Sequence, residues 1–182
     1  SAEDKLRKLL DDARRTVKEV EERLKKLNKK LEEDVKRVKR ELRESNKKSR
    51  ELVEKVKREV TDEDVKKKVE DLLKRDHDVV RRVEKELDDM LRRNHKLVRD
   101  VLRELRKLLE DVERVVERAR RVRSEVVEEV LEELKKLIET VKRRAKEVLD
   151  RSEETIREIR KRAEDVLRES ERIIEDIERM TR

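Results

Sequence analysis

Residues 24–46 read LKKLNKKLEEDVKRVKRELRESN, and this stretch decides the fold. Leu24, Leu27, Leu31, Val35, Val38 and Leu42 recur in steps of three and four, the spacing of one face of an α-helix. The residues between them are mostly Lys, Arg and Glu, strong helix formers that also supply i,i+4 pairs. Two asparagines, Asn28 and Asn46, interrupt the pattern 18 residues apart, and Leu24 and Leu42 show the same interval. Eighteen residues make five turns at 3.6 residues per turn, which leaves no drift of the apolar face around the helix. A long and nearly straight helix is therefore expected.

The same stripe extends from Leu6 to Val60 and is followed by two more, Val65 to Val122 and Val127 to Ile177. Breaks must form without Gly or Pro, since the chain has neither. Thr61 or Asp62 offers an N-cap, with Glu63 and Asp64 in the next turn. Arg121 and Arg123 suit a C-terminus, and Ser124 can cap the next helix. The expectation is an all-α, antiparallel up-down-up three-helix bundle with the 18-residue repeat. Helices over about 2–60, 62–122 and 124–181 would form one unit spanning 1–182. At 1.5 Å per residue, each helix would be about 90 Å long.

Folding at these breaks brings polar residues together. Around Thr61, Asn28 faces Asn94, and Asn46 faces Asp76. Around Arg123, Asn94 faces Ser152, and Asp76 faces Ser170. One layer thus holds Asn28, Asn94, His95 and Ser152, and the other holds Ser45, Asn46, Ser49, Asp76, His77 and Ser170. Spacing alone leaves open which member of an adjacent pair points inward. His77 shares a stripe with Leu73 and Val80, and His95 with Leu91 and Val98, so both imidazoles are expected to reach the interior. Buried polar groups are costly unless they satisfy one another. A slipped register would leave such groups unpaired, so these layers are expected to fix the pairing of the helices.

Composition narrows the function. Of 182 residues, 59% are Asp, Glu, Lys or Arg, and no Cys, Phe, Tyr or Trp is present. Disulfides and thiol chemistry are excluded. No apolar run approaches a membrane span or a signal peptide, so no membrane partner is expected and no compartment is indicated. The net charge of +7 is weighted toward the first third, but its charges alternate and no aromatic offers a stacking surface. Specific nucleic-acid binding is therefore not expected. Each layer has one histidine, and the two stand about 27 Å apart along a helix, so one chain cannot build a zinc site from them. Ser152 beside His95 suggests a nucleophile and a base, yet a bundle core supplies no substrate pocket. Neither an enzyme nor a cofactor or small-molecule ligand is expected.

These features resemble computationally designed helical bundles that carry modular buried hydrogen-bond networks. The resemblance spans the chain and rests on the absent Gly and aromatics, the Glu/Lys/Arg surface, the 18-residue repeat and the Asn/Ser/His layers. It implies a structural scaffold without natural activity, in which layer placement sets pairing and histidines respond to acid. The commonest form of that class is a two-helix hairpin that oligomerises, whereas this chain supplies three helices. Adjacent apolar pairs such as 72/73, 90/91, 108/109 and 173/174 widen the faces of the second and third helices. The alternative reading is therefore a protomer of a homo-oligomer or filament joined through those faces.

Overall fold

A computed structural model describes residues 1–123 and 125–180. They form three helices and no strand: α1 (Ala2–Glu59), α2 (Glu63–Arg121) and α3 (Val127–Arg179). The fold is an all-α three-helix bundle. Local chemistry explains the ends. Ser1 Oγ accepts the Asp4 amide at 3.3 Å and caps α1. Asp62 Oδ1 accepts the Asp64 amide at 2.9 Å, so Asp62 rather than Thr61 caps α2. Lys57 and Arg58 close α1, and Arg118, Arg120 and Arg121 close α2, each placing positive charge on the negative end of a helix dipole. The helix start expected at residue 124 falls later, at Val127. Ser124 itself, the expected cap, lies outside the described residues.

The chain divides into two compact units, to which every helix contributes. Unit 1 comprises Ser1–Lys29 and Arg93–Glu154, and unit 2 comprises Lys30–Arg92 and Thr155–Arg182. Within unit 1, Glu3, Arg14 and Glu21 pair with Arg120, Glu113 and Arg106 in that order, which sets α1 antiparallel to α2. Asp12 and Arg23 pair with Lys142 and Glu153, so α1 and α3 run parallel. Unit 2 repeats the pattern: Lys39, Arg43 and Lys57 face Asp88, Glu84 and Glu70, while Asp34 and Ser45 face Arg160 and Ser170.

Each unit has its own core. In unit 1, Leu6, Leu10 and Ala13 join Val112, Val116, Leu134 and Ile138, and a second cluster gathers Leu24, Leu105, Val141 and Val148. In unit 2, Val53 and Val56 meet Val69, Ile173 and Ile177. Side chains such as Leu42, Leu87 and Ile159 are fully enclosed. Burial of each such side chain contributes about 1.5–3 kcal/mol. The second members of the wide apolar pairs are half-buried rather than exposed, and Leu73, Leu102 and Leu109 pack against the cores of their own units. Val126, 42% accessible, is the one exposed large apolar side chain among the described residues.

Candidate functional site

Two polar levels interrupt these cores, one in each unit. In unit 2, Asp76 projects from α2 and is fully buried. Asn46 of α1 donates from Nδ2 to Asp76 Oδ2 at 2.9 Å, and Ser170 of α3 donates from Oγ to Asp76 Oδ1 at 2.8 Å. Ser45 and Ser170 lie 2.6 Å apart, oxygen to oxygen. A hydroxyl has one proton, and that of Ser170 is committed to Asp76, so Ser45 must be the donor to Ser170. Arg50, one turn along α1, donates from Nη2 to Asn46 Oδ1 at 3.3 Å. The bonds therefore converge on the α2 carboxylate from both of the other helices. Ser49 is also fully buried, but its hydroxyl returns to the Ser45 carbonyl at 3.2 Å and serves its own helix.

The level in unit 1 is built from matched positions 18 residues away and is less complete. Asn94 is buried and donates from Nδ2 to Oδ1 of the half-buried Asn28 at 3.3 Å. Ser152 is fully buried. Asn94 Oδ1 and Ser152 Oγ have no hydrogen-bond partner among the described residues. Two sequence differences accompany this: Asn94 stands where unit 2 has Asp76 and donates to its asparagine partner instead of accepting from it, and Leu27 stands where unit 2 has Ser45, so that position offers Ser152 no hydroxyl.

The histidines divide. His95 is half-buried with its Nε2 enclosed at this level, and it makes interactions of its own. His77, expected at the interior, is exposed. Successive helical residues point about 100° apart, and Asp76 takes the inward position, which turns His77 out. There it lines a surface cleft of about 460 Å³ with Asn46, Arg50, Glu70, Leu73 and Lys74. It sits at the edge of the stripe, between half-buried Leu73 and buried Val80, which explains why its spacing alone points inward.

One buried acid is missing from the sequence-based expectation. Asp34 is only 5% accessible and accepts Arg160 and Arg37, each at 3.2 Å. It follows Leu31 by three and precedes Val38 by four, so its spacing already places it on the apolar face. Other ion pairs are nearer the surface. Arg162 grips Glu86 with two bonds, at 2.7 and 3.3 Å, and this holds the Glu86 carboxyl below its usual range. Lys142 bonds Asp12 at 2.8 Å and lowers Asp12 likewise. Arg144, bonded to Glu104 and Glu147, is held still more firmly in its charged form.

Among the described residues, no three His, Cys, Asp or Glu side chains gather as a metal site would require, and no helix is long and apolar enough to cross a membrane. No family model, curated protein or solved structure matches the chain.

Proposed function

We propose that this protein is a designed structural scaffold, without natural biochemical activity, whose buried polar levels fix the register of its helices. The observation that carries this reading is the network centred on Asp76, which draws bonds from Asn46 and Ser170, with Ser45 behind Ser170. Displacing any helix lengthwise would leave a buried carboxylate, amide or hydroxyl without its partner, at about 1–3 kcal/mol per group. Apolar contacts impose no such penalty, because one Leu or Val can stand in for another at modest cost. The network thus supplies discrimination that the core alone would lack. Composition agrees: 59% charged residues without Gly, Pro or aromatics is far from natural usage.

Acid response belongs to this reading through His95, whose Nε2 is enclosed. His77, being exposed, is assigned no part in it.

The alternative, a homo-oligomer formed through α2 and α3, draws on their wide apolar faces. Leu73, Leu102 and Leu109 already pack within their own units, which favours the scaffold reading. Sedimentation equilibrium over a hundredfold concentration range tests the choice. The scaffold reading expects the monomer mass throughout, whereas a mass rising with concentration favours the oligomer.

A further inference from the structure

We infer that Arg50 is the counter-charge of the buried Asp76 carboxylate, acting through the side-chain amide of Asn46. The inference rests on the reading of the polar levels given above and adds a charged surface residue to one of them. Asp76 is fully enclosed, and no cation touches it among the described contacts; its two bonds come from neutral groups, Asn46 and Ser170. A buried carboxylate served only by neutral donors is poorly compensated. Asn46 can pass compensation inward. Its Oδ1 accepts Arg50 Nη2 at 3.3 Å while its Nδ2 donates to Asp76 Oδ2 at 2.9 Å. The guanidinium polarises the amide so that its N–H becomes a better donor, the cooperative strengthening expected of hydrogen bonds in series. Charge at the two ends also fixes the amide's orientation, oxygen toward Arg50 and nitrogen toward Asp76.

The 18-residue repeat supplies an independent comparison. The positions matching Asn46, Asp76 and Arg50 in unit 1 are Asn28, Asn94 and Glu32. The asparagine is kept. Where the buried residue is neutral, the outer residue is an acid; where it is a carboxylate, the outer residue is Arg50. A Glu at position 50 would set a second negative charge against the acceptor end of the same amide. The outer charge thus changes sign with the charge of the buried residue, as a relay through the shared asparagine requires.

The test is a set of double-mutant cycles read by denaturant unfolding of the full chain. Arg50→Gln and Arg50→Glu are each made in the parent and together with Asp76→Asn. The D76N background should fold, because it recreates the Asn–Asn pairing seen between Asn94 and Asn28. In the parent, R50Q is expected to lower the folding constant about threefold and R50E about tenfold, the modest scale suited to an exposed arginine. In the D76N background both losses should fall to within about 1.5-fold of no change. Arg43→Gln is the control: it breaks the neighbouring Arg43–Glu84 pair and should cost the same in either background. Equal costs for the Arg50 variants in both backgrounds would overturn the inference. The cost of D76N alone reports separately on the polar level, so the relay can fail while the level keeps its role in register.

Discussion

Ser170 donates to Asp76 at 2.8 Å, while Ser152, equally enclosed at the matching position of the other unit, finds no acceptor among the described residues. The two serines therefore test what a completed polar level contributes. Ser170→Ala strips one bond from a buried carboxylate and leaves Ser45 without its acceptor, so it should cost about 1–3 kcal/mol. Ser152→Ala removes a buried hydroxyl that has no partner among the described residues, and should leave stability unchanged or raise it by up to about 1–3 kcal/mol. Chemical denaturation of the two variants beside the parent provides the comparison.

That contrast also marks how far the sequence can be read. Steps of three and four with an 18-residue repeat are enough for three helices, and the facing positions are enough to pair Asn46 with Asp76 and Asn28 with Asn94. Spacing cannot say which of two neighbours turns inward, because a one-residue error in register moves either Asp76 or His77 to the core. The bonds open to each residue make the choice: Asp76 meets a donor on each of the other two helices. Asp34 is easily overlooked because acids are rarely enclosed, and the two arginines that make its burial tolerable are themselves about half exposed. The start of α3 is least legible, since without Gly or Pro only weak cap signals mark a break.

The histidines should differ in what they contribute to stability. His95 is half-buried with its Nε2 enclosed, whereas His77 lies at the surface. His95→Ala is expected to lower the melting temperature, while His77→Ala should stay within about 0.5 kcal/mol of the parent. Thermal melts of both variants at one pH suffice. An equal effect from the two substitutions would contradict the difference in burial.

An acid dependence comes from the surface pairs. Asp12 and Glu86 are held below their usual carboxyl range chiefly by bonds from Lys142 and Arg162. Their contribution is fully present above the unfolded-chain value and is lost as pH falls through the lower folded-state value. Glu86→Gln should therefore matter less at pH 3, below the ordinary carboxyl range, than at pH 7. Because Glu86 is 38% accessible, the difference should be small and should shrink further in high salt. Melting temperatures of parent and variant at the two pH values, with and without salt, check the sign.

Whether the Asp76 level acts as a unit is decided by the unfolding free energies of two variants. Asp76→Leu alone leaves Asn46 Nδ2 and Ser170 Oγ enclosed without their acceptor, and should destabilise by about 1–3 kcal/mol for each group stranded. Replacing Ser45, Asn46, Asp76 and Ser170 together with Ala, Leu, Leu and Ala removes every polar partner at once. That variant is expected to match or exceed the parent in stability, as all-apolar replacements of buried polar clusters often do. A neutral D76L together with an unfolded fourfold variant would mean that these four side chains do not depend on one another.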